Sequence, residues 1–408
     1  MKVKVRRSAL ILLTIHTLVM VNLLLYVIQR HHHPVLTVDP SHIGAVPLVV
    51  GSPSLTAPLV LVVCAGANNT INDYALLYNA NDTSEDLQFA EKVQGIWTRQ
   101  AEQLYTLFTT LLYFTKSAVW RIIVVTDSMA TFQKVLNISS HVSMHRLQLE
   151  HSPLWLPENQ PQLSQQQWRP CVWAKLFLAE SLPDEDAVVY VDTDVVFLGP
   201  GEDLWWLLRS LGPQQALALA PEPQYQRDQP RRPFAGRVGL NTGMMALNLT
   251  RLRQLDGGGL GSAILRAGMM TPSPRHDQDA LNNYLSLNPH LLLEVSSRWN
   301  FLPSSCFREA PECTDCISAG ITLLHGADMS FFRVIDRKVL ATYQTLTSLR
   351  LGQDPRLVLV RLQRHLAQAD FWAHIYPCSN STGLTHALTL ALADAAMAIS
   401  LHLPSIRV

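Results

Sequence analysis

Apolar runs recur along the body of the chain and are separated by longer amphipathic stretches. The runs at residues 59–66 ("LVLVVCAG"), 121–128 ("RIIVVTDS") and 188–200 ("VVYVDTDVVFLGP") each predict a buried strand, because apolar residues follow one another with few polar breaks. The stretches "ALALAPE", "TGMMALNL" and "ITLLHG" predict further strands. The apolar pattern therefore indicates a sheet that is buried on both faces.

Helical patterns lie between these strands. The spacing of apolar residues predicts one helix at about residues 98–115 and another at residues 171–182, the latter with Trp173, Leu176 and Phe177 facing inward. "DQDALNNYLSL" begins a further predicted helix. Strands that alternate with helices over this length are typical of an α/β fold with a mostly parallel central sheet.

A different pattern precedes this body. Residues 8–28 carry no charged side chain, apart from a titratable histidine, and would span about 30 Å as a helix, the thickness of a bilayer core. Lys2, Lys4, Arg6 and Arg7 precede the run, which predicts a single-pass type II anchor with the body in the lumen. The alternative is a cleaved signal peptide, but the run is long and lacks a small-residue cleavage site.

Composition agrees with a globular lumenal body. The 408 residues have a formal net charge of zero, so no chain-wide basic field argues for nucleic acid binding. Glycosylation sequons occur at Asn68, Asn81, Asn137, Asn248 and Asn380.

The chain has six cysteines. Cys306, Cys313 and Cys316 are close together and predict disulfides in an oxidising lumen, with Cys378 as a further partner. A zinc site would need a fourth ligand, and none is evident nearby. Cys64 lies in an apolar run, so we expect a buried thiol there.

Two carboxylates, Asp192 and Asp194, interrupt the most apolar predicted strand. A buried charge is costly unless something pairs with it, and residues i and i+2 of a strand share a face. A divalent cation such as Mg²⁺ or Mn²⁺ would pair with both. The alternative is a surface turn with two solvated acids, which the apolar flanks disfavour.

Three further stretches carry polar residues next to predicted strands or helices. His325 ends an apolar strand and precedes Gly326, at which backbone can approach a phosphate closely. Asp277 and Gln278 begin a predicted helix, which Asp277 can also simply cap. Asn241 and Gly243 flank a predicted turn into another strand, where both are also consistent with ordinary turn chemistry.

Taken in order, these stretches resemble family-8 glycosyltransferases, and glucoside xylosyltransferases most strongly. The residues that carry the resemblance are "VVYVDTDVVFLGP", "LALAPE", "GRVGLNTGMMALNLTRLR", "DQDALN", "RWNFLP" and "LLHG". The resemblance runs over about residues 59–378 and implies a GT-A fold that binds a UDP-sugar through Mn²⁺.

The resemblance also assigns roles to residues. It implies Asp192, Asp194 and His325 as metal ligands, and Asp277 and Gln278 as the residues at the donor sugar, with Gln278 beneath the anomeric carbon. The residues implied to line the donor and nucleotide cleft are Ala65, Gly66, Lys175, Thr193, Asn241, Gly243 and Gly326. Many members have a lysine after the final histidine and glycine that holds the diphosphate; here "HGADMSFFRV" has none, and Arg333 is the candidate replacement.

The domain organisation expected from these patterns is a cytoplasmic tail at residues 1–7, an anchor at 8–28, a stem at 29–57, a catalytic domain at 58–345 and a helical extension at 346–408. The implied activity is transfer of xylose from UDP-xylose, in α-1,3 linkage and with retention, to O-linked glucose on EGF-like repeats such as those of Notch. The implied location is the membrane of the endoplasmic reticulum or Golgi. The alternatives are a related transferase that uses UDP-glucose or UDP-galactose, and a non-catalytic lumenal binding protein of the same fold.

Overall fold

A computed structural model of the chain describes residues 57–64, 85–115, 119–157, 170–222, 235–268, 277–303, 314–332, 336–370 and 382–402. All of them fall within one unit, Ser52–Val408. The predicted cytoplasmic tail, the predicted anchor and the predicted stem up to residue 56 lie outside the described residues. The expected domain boundaries therefore stay a prediction.

Over the described residues, the centre of the fold is a seven-stranded sheet. Its strands are β1 (Leu59–Val63), β2 (Trp120–Thr126), β3 (Leu147–Pro153), β4 (Ala187–Val191), β6 (Leu217–Pro221), β7 (Leu240–Asn248) and β8 (Leu292–Glu294), in the order β3-β2-β1-β4-β7-β6-β8. Neighbouring strands are parallel except where β7 pairs with β4 on one side and β6 on the other. The sheet is thus mostly parallel, as the sequence predicts.

The run at residues 188–200 forms two strands in two different sheets. The first strand is β4, and the second is β5 (Val195–Phe197), which pairs antiparallel with β9 (Leu323–His325). The prediction of one continuous strand was therefore wrong, because the chain turns through Asp192–Asp194 and leaves the central sheet. This turn places both acids beyond the carboxyl end of β4.

Helices cover both faces of the central sheet. They are α1 (Glu85–Phe114), α2 (Met129–Val142), α3 (Pro170–Ala174), α4 (Leu178–Ser181), α5 (Leu204–Arg209), α6 (Leu249–Leu252), α7 (Leu260–Arg266), α8 (Asp277–Leu287), α9 (Thr314–Ala319), α10 (Arg337–Thr347), α11 (Pro355–Asp370) and α12 (Thr382–His402). A short 3₁₀ turn, Lys175–Phe177, joins α3 to α4.

The core has two parts, one on each face of the sheet. Leu59, Leu61 and Val63 of β1 belong to one part, whereas Val60 belongs to the other, since successive strand side chains point to opposite faces. Helix α1 covers the first face with an apolar stripe at helical spacing, formed by Leu104, Leu107, Phe108 and Leu111. The predicted inward residues Trp173, Leu176 and Phe177 are buried against the second face.

The cysteines form covalent links. Cys64 was predicted to be a buried thiol, which was wrong: it forms a disulfide with Cys171, with the two Cα atoms 6.3 Å apart. The reason is that Cys64 follows β1 rather than lying within it, so its side chain reaches the start of α3. Cys316 is also disulfide-bonded, which confirms that part of the predicted disulfide cluster. Cys306, Cys313 and Cys378 lie outside the described residues.

The C-terminal helices pack against one another and against the body. Helix α11 packs on α10 and on α12, α12 packs on α9, and α10 packs on α1. Within α12, Leu384, Leu388 and Leu392 are buried in the core, and Thr385 accepts a hydrogen bond from the buried Lys338 Nζ at 2.8 Å. Over the part of the chain that the structure describes, no helix is both long and apolar enough to cross a membrane.

Candidate active site

The two acids lie at the carboxyl edge of the central sheet, where backbone hydrogen bonds fix the turn that carries them. The N–H of Asp192 donates to the carbonyl of Gly243 on β7 at 2.8 Å. The N–H of Gly326, just after β9, donates to the carbonyl of Asp194 at 2.7 Å. The turn is therefore held between β7 and the loop after β9.

His325 approaches both acids. Its Nε2 lies 3.3 Å from Asp194 Oδ1 and 3.8 Å from Asp192 Oδ2. One ligand atom from each of the three side chains lies within 4.8 Å of the others, as required for a shared cation. Two carboxylate oxygens and an imidazole nitrogen form a donor set that suits Mn²⁺. The structure thus brings the three predicted metal ligands together.

The electrostatics of the pair His325–Asp194 favour its charged form. Burial opposes charge on both side chains, but their mutual attraction and hydrogen bond outweigh burial. The pKa of Asp194 is therefore lowered and the pKa of His325 is raised. The attraction between these two side chains holds the imidazole Nε2 against the Asp194 carboxylate.

Gly243 makes room for the imidazole. A Cβ at this position would lie 2.1 Å from His325 Cε1 and 2.5 Å from His325 Nδ1. His325 Nδ1 is buried and has no hydrogen-bond partner among the described residues. Glycine is therefore required at residue 243 by the packing of His325, and Nε2 is the ring nitrogen that faces the acids.

Lys175 lies between two acids on the other side of Asp192. Its Nζ is 3.1 Å from Asp192 Oδ1 and 3.3 Å from Asp277 Oδ2, and only 6% of its side chain is exposed. Thr242 Oγ1 accepts from Lys175 Nζ and donates to Asp277 Oδ2 at 2.9 Å. Burial lowers the pKa of Lys175, but the two carboxylates outweigh it and raise that pKa above its ordinary value. The lysine is therefore held as a cation.

Tyr190 completes the environment of Asp192. Its hydroxyl donates to Asp192 Oδ1, the oxygen that also faces Lys175. Burial, followed by the nearby Asp192 carboxylate, raises the pKa of Tyr190 well above its ordinary value, so the hydroxyl stays a donor. Oδ1 of Asp192 thus accepts from both Tyr190 and Lys175, whereas Oδ2 lies 3.4 Å from Lys175 Nζ and faces His325.

Side-chain amides form the remaining part of the site. Asn241 Nδ2 donates to Gln278 Oε1 at 3.1 Å, and Gln278 Nε2 donates to Glu222, which follows β6. Asn300 Nδ2 donates to Asn241 Oδ1 at 2.7 Å. We name this the amide chain: Asn300, Asn241, Gln278 and Glu222. It adjoins the metal-ligand cluster because Gly243, which packs on His325, donates its N–H to Asn241 Oδ1.

The structure places most of the predicted site residues at this edge. Thr193 lies half-buried in the turn between the two acids, and Gly326 lies against the Phe331 ring, which a Cβ there would meet at 2.4 Å. Ala65, Gly66 and Arg333 lie outside the described residues. The roles that the resemblance gives to these residues stay predictions.

Among the described residues, sequence reasoning missed four that belong to the site: Tyr190, Glu222, Thr242 and Asn300. Glu222 follows the carboxyl end of β6 just as Asp192 follows β4, so the rule that polar side chains at such ends meet would have found it. Tyr190 lies on β4 two residues before Asp192, the spacing at which strand side chains point the same way. Asn300 has no such local pattern, because only the fold brings it to Asn241.

Comparison with known proteins identifies the family to which this chain belongs. A family model described as glycosyl transferase family 8 matches residues 102–325, which is more than half of the 408 residues and includes both acids and His325. The chain belongs to glycosyl transferase family 8. The resemblance seen in the sequence is thus confirmed, and the fold is of the GT-A type in its mostly parallel sheet and flanking helices.

Several relatives of this family 8 member are named glucoside xylosyltransferases. It is 34% identical over 193 residues to glucoside xylosyltransferase 2 of Mus musculus, covering 43% of this chain and 42% of the relative. It is 30% identical over 247 residues to glucoside xylosyltransferase 2 of Xenopus laevis, covering 56% and 57%. With glucoside xylosyltransferase 1 of Homo sapiens the identity is 31% over 191 residues, covering 43% of each. The chain therefore spans about half of the length of the curated relatives it matches.

Solved structures match this chain at lower sequence identity than these relatives do. Apo mouse xyloside xylosyltransferase 1 matches with a TM-score of 0.44 and 14% identity, over 67% of this chain and 98% of that chain. The galactosyltransferase LgtC in complex with donor and acceptor sugar analogs matches with a TM-score of 0.46 and 16% identity, over 74% and 99%. These likenesses are too distant to define a substrate.

Proposed function

We propose that this family 8 member is a retaining, Mn²⁺-dependent glycosyltransferase that transfers xylose from UDP-xylose in α-1,3 linkage to O-linked glucose on EGF-like repeats, such as those of Notch. The observation that carries the proposal is the convergence of Asp192, Asp194 and His325 at the carboxyl edge of the sheet. Ligands of α/β sheets bind at such edges. The choice of xylose and of an O-glucosylated acceptor is supported by the similarity to glucoside xylosyltransferases.

The donor set fits the metal that the proposal requires. Asp192 Oδ2, Asp194 Oδ1 and His325 Nε2 are the atoms that would hold Mn²⁺. When bound, the ion supplies charge that neutralises the diphosphate and stabilises UDP as it leaves. Because Lys175 and Tyr190 hold the other oxygen of Asp192, that carboxylate is already oriented for this task.

The remaining residues of the site would bind and orient the donor sugar. The Asp277 carboxylate is fixed by Lys175 and Thr242 and can accept hydrogen bonds from sugar hydroxyls. Gln278 is a neutral amide and therefore a poor nucleophile. Retention then fits an internal return, in which the acceptor hydroxyl attacks from the side on which UDP leaves and a phosphate oxygen accepts its proton. A glycosyl adduct trapped on any side chain would contradict this route.

A donor-by-acceptor assay tests the proposal. We expect the full chain with Mn²⁺ to release UDP from UDP-xylose faster than from UDP-glucose or UDP-galactose, and to do so only with a glucosylated EGF-like repeat. The coupling constant of the anomeric proton in the NMR spectrum of the product should show an α linkage. Faster turnover of UDP-glucose or UDP-galactose would support the related transferase instead. UDP binding without turnover of any donor would support the non-catalytic binding protein.

A substitution at the metal-ligand cluster separates catalysis from folding. Asp194→Asn should abolish Mn²⁺-dependent transfer, because a neutral amide binds the ion weakly, while the protein stays folded by circular dichroism. Asp256→Asn is the matched control: this acid pairs with Arg266 at the surface, with 81% of its side chain exposed, and its loss should leave transfer unchanged. Transfer that persists in Asp194→Asn would overturn the ligand assignment.

The proposed location is the lumen of the secretory pathway, with the chain anchored as a single-pass type II membrane protein. The apolar run at residues 8–28, the basic residues before it and the sequons support this location. Protease treatment of intact microsomes should leave the body protected. Digestion of the body without detergent would contradict the orientation.

A further inference from the structure

The hydrogen bonds of the amide chain run in one direction. Asn300 donates to Asn241, Asn241 donates to Gln278 at 3.1 Å and to Glu222 Oε2 at 3.4 Å, and Gln278 donates to the same Glu222 oxygen. An ionised carboxylate accepts only, so Glu222 is the end of this series. Three of the four side chains are buried, and Glu222 is half-buried.

Backbone donors fix the orientation of both central amides. The N–H of Gly243 donates to Asn241 Oδ1 at 2.8 Å, and the N–H of Thr242 donates to Gln278 Oε1 at 3.2 Å. A backbone N–H cannot accept, so turning either amide over would set two donors against each other. The Gln278 oxygen therefore faces β7, and its NH₂ group faces Glu222.

This orientation limits what Gln278 can do. Both lone pairs of Oε1 are used, one by Asn241 Nδ2 and one by the N–H of Thr242. One Nε2 proton is directed at Glu222. The group that Gln278 can still offer to a bound sugar is thus its second N–H, a donor rather than an acceptor or nucleophile.

We propose that Glu222 is a positioning residue, which holds the Gln278 amide with its N–H toward the donor sugar. This inference rests on the proposed function, since it concerns the same donor site. Glu222 acts here as a hydrogen-bond acceptor through Gln278, and its negative charge is not required. The carboxylate itself touches no reacting atom in this assignment.

Two substitutions at residue 222 test this assignment. In Glu222→Gln an amide oxygen can still accept from Gln278 Nε2, so kcat should stay within about 3-fold of the unaltered protein. Glu222→Met has similar length but no acceptor, and should lower kcat by about 10–100-fold, the usual cost of losing an orienting partner, with little change in KM for UDP-xylose. Glu150→Gln, which changes an exposed acid on β3 that pairs with Arg121, is the control and should leave kcat unchanged.

Either of two results would overturn the proposal. If Glu222→Gln is as inactive as Glu222→Met, the charge of the carboxylate is needed, and Glu222 acts on the substrates directly. If Glu222→Met keeps full kcat, the contact does not matter for the reaction. Calorimetry with UDP and Mn²⁺ should give the same affinity for both variants, because neither removes a metal ligand.

A stability measurement tests the contact without any transfer assay. Glu222→Met and Gln278→Ala remove the same hydrogen bond, so the Tm shift of the double variant should be smaller than the sum of the two single shifts. Glu222→Met combined with Glu150→Gln should give additive shifts. Additive shifts for the first pair would contradict the contact itself. An unaltered chain that transfers no sugar would contradict the proposed function and leave this stability result standing.

Discussion

Two groups among the described residues each place a cation between two acids. One triad consists of Arg121 with Glu150 at 2.7 Å and Glu185 at 2.6 Å, and 41% of the Arg121 side chain is exposed. The other consists of Lys175 with Asp192 and Asp277, and 6% of the Lys175 side chain is exposed. We call these the exposed triad and the buried triad.

The two triads have the same charges and differ in their contact with water. Water and salt screen the exposed triad, so such pairs typically contribute about 0–1 kcal/mol. In the buried triad Lys175 and Asp277 are almost fully buried and Asp192 is half-buried, so removing the cation leaves two poorly hydrated acids uncompensated. The comparison indicates that the exposed triad contributes little to stability, whereas the buried triad holds Asp192 and Asp277 of the site in place.

The largest expected effect comes from breaking the buried triad. Lys175→Met keeps the apolar stem but leaves two acids near a buried site without their cation. We expect the free energy of unfolding to fall by about 3–5 kcal/mol. Transfer should also be lost, because Asp192 and Asp277 both lose a fixed partner. Urea denaturation measures the first effect, and a loss below about 1 kcal/mol would mean that the triad is better hydrated than the structure shows.

The next largest effect is expected at the metal-ligand cluster of Asp192, Asp194 and His325, which shares Asp192 with the buried triad. The substitution there removes no charge. Gly243→Ala places a Cβ against the His325 ring and should weaken Mn²⁺ binding by about 10–100-fold. The same strain should cost about 1–3 kcal/mol of stability. Gly199→Ala is the control, because its added Cβ would meet Thr322 atoms only at 3.6 Å. Titration of Mn²⁺ in the presence of UDP checks the result, and unchanged affinity would contradict the packing argument.

Another acid sharpens the comparison because it is half-buried and belongs to neither triad. Glu180 Oε1 accepts from the N–H of Ser262 at 3.0 Å, and its Oε2 has no partner among the described residues. Burial raises the pKa of Glu180, so the folded state loses stability as pH rises and this carboxyl ionises. Glu180→Gln should therefore raise Tm at pH 8, with a gain that shrinks as pH falls. A gain that grows toward acid pH would show that the sign is wrong.

The smallest effect is expected from breaking the exposed triad. Arg121→Met should lower the free energy of unfolding by about 0.2–1 kcal/mol at pH 7 and leave transfer unchanged. The hydrogen bond from Arg121 lowers the pKa of Glu150, so this contribution is present at neutral pH and is lost as pH falls through that lowered pKa. Added salt should shrink it further. A cost as large as that of Lys175→Met would remove the distinction between the two triads.

Part of this site could be predicted from the polar residues that interrupt or follow apolar strands in the sequence. Asp192 and Asp194 were predicted as a cation site because two acids interrupt an apolar strand, whereas the family resemblance added His325 to them. The division of residues 188–200 into β4 and β5 could not be predicted, since both strands are equally apolar. Strand β3 was missed because its solvent-facing positions are polar, with exposed Gln148 and Glu150. The amide chain depends on contacts across the fold, which no local pattern encodes.

The disulfide between Cys64 and Cys171 has a practical consequence for anyone who prepares this protein. Cys171 lies four residues before Lys175, so the bond ties the end of β1 to the helical segment that delivers the buried lysine. Bacterial cytosol keeps thiols reduced, and material made there would lack this tie. Expression in insect or mammalian secretory cells, with dithiothreitol left out of every buffer, is the route to a sample whose kinetics can be compared with the geometry described above.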